Sequence, residues 1–452
     1  MLNVRTLLVF LGLSAATGLR AATWYVDGAA AESGDGTSWA TAFRKIPEGI
    51  EAASEADTVI VAEGAYKGCV WFRGPNITVR SRDPLDPAVV ASTVLDGCGV
   101  DFSGLEDDTC VLSGFTIRNA TSPDTYPFAG GGIYGRGTRA TISHNVITGN
   151  EALESGGGLA FCDGIIEDNF ITDNSAGVTI PGFGGGLYEC NGVIRNNVIA
   201  GNRAWDGWVW IGADGPTRVC GEGGGLHSCN GTIVNNTIFG NQACGGGGGL
   251  YGCHGTIRNN IIWANEWAQL HDSIDPAYCC IQGWEGGGWM NITEDPLFVD
   301  AKNGNFRLLP FSPCIGAGDN WAAHLPETDI AGMPRIMFGG WWPTADIAAH
   351  IAGTPGIVLG KWRPAVDIGA YEFYRNEVKP VPGTEHTVFT WSSVAERTYS
   401  IFYTDDFFNW HTAIDKFPSS GNTTTSWIDD GSLTGLPPLL APRRFYRLLQ
   451  NP

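Results

Sequence analysis

The most constraining feature of the chain is a repeated phrase of fixed internal spacing, Gly-Gly-Gly-Leu-x-x-Cys-x-Gly-x-Ile-x-x-Asn-x-Ile-x-x-Asn. Four tight copies occupy residues 156–174, 184–202, 223–241 and 247–265. A looser copy at 130–150 has two extra residues and lacks the Cys. Repeats of this length are single structural units that bury their apolar faces only by stacking on one another. The phrase therefore predicts a solenoid.

Each unit has the pattern of short strands. Leu187, Ile194 and Ile199 lie in brief apolar runs broken by Gly and Asn, and no 3-4-7 spacing sustains a helix. Each glycine triplet needs a permissive backbone, as at a turn or a close approach, and Asn tolerates left-handed turns. One coil per repeat, with coils about 4.8 Å apart, predicts an all-β chain built around a right-handed parallel β-helix.

The constant spacing places identical side chains in columns. Stacked Asn side chains can hydrogen-bond along a column, and each bond contributes about 1 kcal/mol. We predict two structural Asn ladders and one column of stacked buried thiols. A zinc tetrahedron is excluded for the thiols, because they lie in a line about 4.8 Å apart and not around a point. The columns are Asn145, Asn169, Asn197, Asn236 and Asn260; Asn150, Asn174, Asn202, Asn241 and Asn265; and Cys162, Cys190, Cys229 and Cys253.

The repeat resembles that of secreted bacterial right-handed parallel β-helix proteins of the pectin-lyase-like group. The opening segment, with Trp24-Tyr25-Val26, residues 36–43 and residues 57–66, resembles the usual start of these proteins. Residues 291–318 and 366–372 resemble their closing segment. The resemblance implies the fold and implies no particular reaction.

The same patterns divide the chain into segments. Arg5 followed by the apolar run 6–13 is typical of a secretory signal, and a membrane anchor is disfavoured because the run is too short to span a bilayer. An amphipathic helix over about 42–54 is predicted to cap the first coil. We expect a signal peptide at 1–22, a cap and first coil at 23–66, the β-helix at 67–318, a closing segment at 319–378 with an inserted loop at 337–364, a linker at 379–384, and a C-terminal β-sandwich module at 385–452 that resembles fibronectin-like modules.

Charge limits the partners. The chain has 27 Lys and Arg against 47 Asp and Glu, a formal net charge of −20. This balance disfavours nucleic acid and anionic membranes, and it disfavours polyanionic sugars unless Ca²⁺ bridges the two. No motif supports a Ca²⁺ site, and no cofactor or metal is identified. An acidic surface that keeps an exported protein soluble is the simpler explanation. We expect a secreted or cell-surface monomer with no transmembrane span after signal cleavage.

The insertions between repeats all open at one corner of the coil. The two longest, 203–222 and 266–289, combine aromatic residues with carboxylates, and the short insertion 242–246 between them ends in two Gly residues. Sugar rings offer apolar faces and hydroxyl rims, which suit such a surface. We predict a groove lined by Trp205, Trp208, Trp210, Trp267 and Trp284. The alternative is that these Trp side chains pack the loops onto the coils.

A complete catalytic set is not recognisable. The ordered motifs of β-helix polygalacturonases are missing, and His254-Gly255 fills a column held elsewhere by Asn191-Gly192. The leading hypothesis is therefore binding, with possible cleavage, of an extracellular polysaccharide. If the chain is an enzyme, we expect a polysaccharide lyase or glycoside hydrolase. The groups within reach of the groove would be Asp206, Asp214, Arg218, Glu222, Asp272 and Glu285.

The alternative function is that of a surface adhesin or structural spacer, because the repeats also resemble those of bacterial polymorphic outer-membrane proteins. Glycan arrays run with reducing-sugar and unsaturated-uronate assays would separate these hypotheses.

Two further pairs follow from the register. Cys220 and Cys244 each precede a glycine triplet by three residues, so they lie one coil apart at the same corner. That spacing is within the range a disulfide allows, although two free thiols are an equal alternative. Glu167 and Arg195 share a column, which predicts an exposed ion pair of little energetic value.

Overall fold

The computed structural model describes residues 21–122, 128–177, 180–210, 215–309, 312–332, 335, 366–371, 377–380, 387–392, 398–404, 411–418, 424–429, 432–433 and 445–450. Within them, strands of successive coils pair in parallel and in register into three long sheets. The predicted all-β parallel β-helix is confirmed. Residues 1–20 of the predicted signal peptide and the predicted loop 337–364 lie outside the described residues.

Three sheets run along the coils, and a fourth forms at one corner. Sheet A contains Thr23–Val26, Thr58–Val61, Thr78–Ser81, Val111–Ser113, Thr141–Ser143, Ile165–Glu167, Val193–Arg195, Thr232–Val234 and Thr256–Arg258. Sheet B contains Gly64–Tyr66, Thr93–Asp96, Thr116–Arg118, Val146–Thr148, Phe170–Thr172, Val198–Ala200, Thr237–Phe239, Ile261–Trp263 and Cys280–Ile281. Sheet C contains Val70–Trp71, Val100–Asp101, Ile133–Thr138, Leu159–Cys162, Leu187–Tyr188, Leu226–His227, Leu250–Tyr251 and Leu270–His271. Sheet D contains Glu151–Ala152, Ser175–Ala176, Arg203–Ala204 and Gln242–Ala243.

The core consists of columns of identical side chains. In sheet A the central residue of each three-residue strand points inward, so that Ile166 pairs with Ile194 and Ile194 with Ile233. The Leu that follows each glycine triplet forms a matching column in sheet C. These side chains are essentially inaccessible to solvent, and burying each one stabilises the fold by about 1.5–3 kcal/mol. The repeat therefore encodes one continuous core.

The predicted ladders lie inside two corners of the coil. In the first ladder, Asn236 Nδ2 donates to the Ile194 carbonyl at 2.8 Å and to Asn260 Oδ1 at 3.0 Å. Its Oδ1 accepts from the backbone N–H of Asn197 at 2.9 Å. The second ladder repeats this arrangement, and the four thiols of the Cys column are fully buried. Asn236 thus hydrogen-bonds to the backbone of the preceding coil and to the side-chain amide of the ladder Asn in the following coil.

Backbone conformation fixes these corners. The first glycine of each triplet has a positive φ, for example 64° at Gly184 and Gly223. The residue immediately before each Asn of the first ladder is also left-handed, although it is never Gly. Asn and Asp tolerate this conformation better than most residues do. We call this set the corner column: His144, Asp168, Asn196, Asn235 and Asn259.

The cap helix is shorter than predicted. It covers Ile46–Ala52 and not 42–54. Pro47 is compatible only with the first helical turn, and Glu48 accepts from the backbone N–H of Lys45 at 3.2 Å, which fixes the start there. A second short helix, Pro87–Ser92, was not predicted, and Asp86 caps it through the Ala88 N–H. Neither α-helix in the described part of the chain is long and apolar enough to cross a membrane.

The closing segment folds back over the corner column. Asn196 Nδ2 donates to the Thr328 carbonyl at 2.6 Å, and Asn259 Nδ2 donates to the Asp319 carbonyl at 3.0 Å. The Glu167–Arg195 ion pair, predicted to be exposed, is therefore mostly covered, with side chains only 20% and 22% exposed. Arg195 also donates to the His324 carbonyl at 3.2 Å. The sequence pattern did not predict this cover, because the covering segment is remote in the chain.

The remaining strands are antiparallel. A hairpin joins Phe298–Asp300 to Asn305–Leu308, and single 3-10 turns cover Trp39–Thr41 and Ala301–Asn303. In the C-terminal module, one three-stranded sheet contains Glu377–Pro380, Thr387–Ser392 and Thr424–Asp429. The other contains His411–Pro418, Thr398–Thr404 and Phe445–Gln450. Because Glu377–Pro380 pairs with Thr387–Ser392, this module begins before the predicted boundary at 385.

Candidate functional site

The longest internal insertion forms a wall at the corner between sheets D and C. Its strands Gly207–Trp210 and Pro216–Val219 pair as an antiparallel hairpin, in which Trp208 lies opposite Arg218. Trp208 is 61% exposed. Arg218 Nε donates to Asp206 Oδ2, and this bond lowers the pKa of Asp206. The hairpin therefore presents the solvent-facing indole of Trp208 and the carboxylate of Asp206, which is paired with the guanidinium of Arg218.

Trp205 lies at the base of the same hairpin in a different setting. The guanidinium of Arg203 lies over its ring, 3.4 Å from the ring centroid. One face of this indole is therefore occupied by a cation–π contact. The side chain of Trp210 and the whole of Asp214 lie outside the described residues.

A glycine-rich floor adjoins the hairpin. The backbone N–H of Gly245 donates to the Gly221 carbonyl at 2.8 Å, and a disulfide joins Cys220 to Cys244 with their Cα atoms 5.1 Å apart. On the other side, a Cβ added to Gly246 would lie 3.2 Å from the ring of His271. The floor thus lies between the base of the hairpin and the last strand of sheet C, and its last two residues, Gly245 and Gly246, have no side chains.

The far wall begins just after the last tight repeat. Trp267 is 78% exposed and has a φ of 63°, an unfavourable conformation for a bulky residue. Such local strain persists only where the surrounding structure imposes it. Asp272 and Glu285 are also exposed. The wall therefore offers a second solvent-facing indole.

Trp284 departs from the prediction. Its ring is half-buried and packs against the hydrophobic core. Its Nε1 donates to the Gly287 carbonyl at 2.9 Å, which closes the local turn. This indole covers the core and is not available to line a groove.

Sequence reasoning missed an aromatic column on the outer face of sheet C. We call it the aromatic strip: Tyr134, Tyr188, His227, Tyr251 and His271. Successive rings from Tyr188 onward stack with centroids 5.5, 5.1 and 5.3 Å apart. The rings stack face to face, and His271 is exposed at the end of the strip, whereas both ring nitrogens of His227 are buried. The signal was the position after the conserved-spacing Leu, which holds Tyr or His in four of the five coils from Leu159 onward.

A polar group joins the strip to the hairpin base. Glu222 Oε2 lies 3.5 Å from His227 Nε2, and Phe183 packs edge-on against the same imidazole. Burial lowers the pKa of His227, although Glu222 opposes this shift. Burial, and next the charge of Glu222, raises the pKa of Tyr251. Glu222 thus lies beside an imidazole and a phenol whose neutral forms are favoured.

The structure therefore groups the predicted residues in part. Asp206 and Arg218 are paired on the hairpin, Glu222 lies with His227 at its base, and Asp272 follows the last ring of the strip. Among the described residues, no three His, Cys, Asp or Glu side chains are arranged to hold a metal ion.

A second disulfide, Cys69–Cys98, was also missed. Cys69 immediately precedes one strand of sheet C and Cys98 lies two residues before the next, so the pair is one position out of register, unlike Cys220 and Cys244. For Cys220 and Cys244, we expect peptide mapping of the native protein without reduction to recover a linked peptide containing both residues. Recovery of both thiols in alkylated form would refute this bridge.

Comparisons with known proteins find similarity of the coils to a family model that has no assigned activity. The family model described as "Protein of unknown function (DUF1565)" matches residues 86–245. No curated protein matches the chain. A solved structure titled "Crystal structure of pectate lyase Pel9A" matches with 14% identity and a TM-score of 0.39, over 78% of this chain and 97% of that one. At this level of similarity, the activity of that lyase carries no inference for this chain.

Proposed function

We propose that the protein is exported and binds an extracellular polysaccharide in a groove at the insertion corner. The groove comprises the hairpin wall with Trp208, the glycine floor 242–246 and the far wall with Trp267. The observation that carries the proposal is the pair of solvent-facing indoles on the two sides of a short floor that ends in Gly245 and Gly246. Large exposed aromatic rings cost free energy in water, so two of them on either side of this floor favour a ligand-binding role.

The chemistry of the groove suits a sugar chain. The flat apolar face of a sugar ring can stack on an indole, and its hydroxyl groups need hydrogen-bond partners. Glu222 and Asp272 supply acceptors, and the edges of Tyr251 and His271 supply further polar groups beside the floor. The Cys220–Cys244 bridge fixes the hairpin base against the floor, which lowers the entropy lost on binding.

The arrangement favours binding over cleavage. A general acid needs a raised pKa, whereas the ion pair with Arg218 lowers the pKa of Asp206. The same pair commits Arg218, which was the only loop candidate for a lyase base. We therefore propose binding without cleavage, and we expect neither reducing ends nor unsaturated uronates to accumulate with a bound glycan.

Export agrees with the cysteine chemistry. The described residues contain two disulfides, and disulfides persist mainly in oxidising compartments. We propose that the chain works outside the cell or on its surface.

The test compares three single variants on a glycan array followed by calorimetry with the best ligand. Trp208→Ala and Trp267→Ala should each weaken binding about tenfold, which corresponds to about 1.4 kcal/mol. Trp321→Ala is the matched control, because Trp321 is 92% exposed but lies in the closing segment. It should leave the affinity unchanged, and all three variants should keep the wild-type melting temperature.

Three outcomes would contradict the proposal. A lower melting temperature for Trp208→Ala would show that the indole packs the hairpin. Equal affinities for all variants would place the ligand elsewhere. Failure of the wild type to bind any glycan would favour the adhesin or spacer alternative.

A further inference from the structure

Two buried thiols meet where the closing segment crosses the last coil. Cys280 belongs to the last strand of sheet B, and Cys314 lies just before residue 319, where the closing segment begins. Both are fully inaccessible to solvent and lie in one apolar cluster with Ile261, Leu308 and Ile368. They are 34 residues apart in sequence, and the two segments are packed together only by the fold. A covalent bond between them would therefore fasten the closing segment to the coils.

The direction of each side chain is set by its surroundings. Cys279 and Cys280 are consecutive in an extended segment, so their side chains point to opposite faces. Cys279 points into the β-helix, where its Sγ lies 3.4 Å from the Asn260 backbone nitrogen. Cys280 points outward into the cluster below the closing segment and contacts the Cys314 thiol. Only Cys280 of this pair faces Cys314.

The position of Cys314 is fixed by its backbone. Its N–H donates to Ser312 Oγ at 3.2 Å, and its carbonyl accepts from the Ile368 N–H at 3.0 Å. Ser312 Oγ in turn donates to the Pro296 carbonyl at 2.6 Å. The thiol is therefore held against Cys280 by a network that does not involve either sulfur.

We propose that Cys280 and Cys314 form a third disulfide in the exported protein, which locks the closing segment onto the corner column. The oxidant is a small-molecule disulfide such as oxidised glutathione. One cysteine thiolate attacks the oxidant and releases one thiol; the second cysteine thiolate then attacks the mixed disulfide and releases another. Two electrons and two protons thus pass from the cysteine pair to the two released thiols.

The reaction belongs to folding and not to the finished molecule. Contact with Cys314, and next burial, raises the pKa of Cys280 in the folded chain. The thiolate is the reactive species, and no oxidant reaches a fully buried sulfur. The bond therefore forms before the closing segment completes its docking, and a chain folded under reducing conditions keeps both thiols.

The experiment uses the full chain refolded with a mixture of oxidised and reduced glutathione. The product is unfolded, alkylated without reductant, digested and analysed by mass spectrometry. We expect a linked peptide containing both residues, two hydrogens lighter than the sum of its parts. Cys280→Ser should abolish it, whereas the matched control Cys279→Ser should retain it. Cys280→Ser, Cys314→Ser and the double variant should share one lowered melting temperature, because all three lack the same bond.

Two other results of this experiment would overturn the proposal. Alkylation of both Cys280 and Cys314 in the oxidised wild type would show that the thiols stay free. Survival of the linked peptide in Cys280→Ser but not in Cys279→Ser would assign the bond to Cys279. None of these readouts depends on glycan binding.

Discussion

Asn236→Ala is expected to lower the free energy of unfolding by about 3–5 kcal/mol, since each buried polar group left without a partner costs about 1–3 kcal/mol. The substitution leaves the Asn197 backbone N–H and the Ile194 carbonyl without the partners they have at 2.9 and 2.8 Å. The Asn260 amide oxygen also loses a donor at 3.0 Å. All of these groups are in the interior, where water cannot replace the missing amide.

The matched control is Asn230→Ala in the same repeat. Asn230 belongs to a third column on the outside, where its Oδ1 accepts from the His254 N–H at 2.8 Å. Because Asn230 is exposed, water can satisfy that N–H, and we expect a loss below about 1 kcal/mol. Urea unfolding of both variants and wild type measures the difference. Equal losses for the two Asn variants would mean that burial does not decide the value of a ladder position.

The parts of the fold that depend on the repeat were predictable from sequence. A fixed spacing carries the register from coil to coil, so equal positions must stack, as Ile166, Ile194 and Ile233 do. The bounds of the cap helix were less predictable, because apolar periodicity extends beyond the residue at which Pro47 permits the helix to begin. Register is a property of the whole array, whereas a helix end depends on one or two residues.

The candidate site was predictable only in outline. The shared insertion corner located the hairpin and the floor, but the sequence did not show that Arg203 covers Trp205 or that Trp284 packs on the core. Those contacts are set by the pairing within each insertion. The aromatic strip was overlooked because its column mixes Tyr, His and Ala, and identical residues had been the criterion for the other columns.

The corner column was missed for a different reason. Its members are polar and lie on the outside of the coil, so they resemble solvated turn residues. Asn196, Asn235 and Asn259 are buried beneath segments that lie 60 or more residues later in the chain. For example, Arg335 Nε donates to Asn196 Oδ1 at 3.1 Å, and its guanidinium also reaches the Gly369 carbonyl at 3.0 Å. No local sequence pattern predicts that a distant segment will cover these residues.

Asp168 is a corner-column residue whose surroundings disfavour the ionised form of its carboxyl group. Its side chain is only 12% exposed, and Asn196 Nδ2 donates to it at 3.0 Å. Burial, and next the charge of Glu167, raises its pKa to about 7, against the opposing charges of Arg335 and Arg195. His144 Nε2 lies 3.7 Å away, but burial lowers the pKa of that imidazole. Near pH 7 the contact therefore joins a neutral imidazole to a carboxyl group that is about half ionised.

This setting predicts that Asp168 makes the protein less stable as pH rises. Because its pKa is raised from 3.8 to about 7 on folding, the folded chain holds the proton more tightly than the unfolded chain does. Its contribution to stability is therefore fully present below about pH 4 and is lost as pH rises through 7. At 1.36 kcal/mol for each unit of pKa, the loss is about 4 kcal/mol.

Asp168→Asn should remove this pH dependence, since an amide stays neutral and can still accept from Asn196. We expect the variant to match wild type near pH 4 and to be more stable by about 4 kcal/mol at pH 8. Urea unfolding at a series of pH values gives the difference between variant and wild type, in which the titration of all other groups cancels. Asn230→Ala is the control, because Asn230 is exposed, lies outside the corner column and carries no titratable group. Its difference from wild type should not change with pH. If the Asp168→Asn difference is equally flat, the carboxyl group is not held in its protonated form beneath the closing segment.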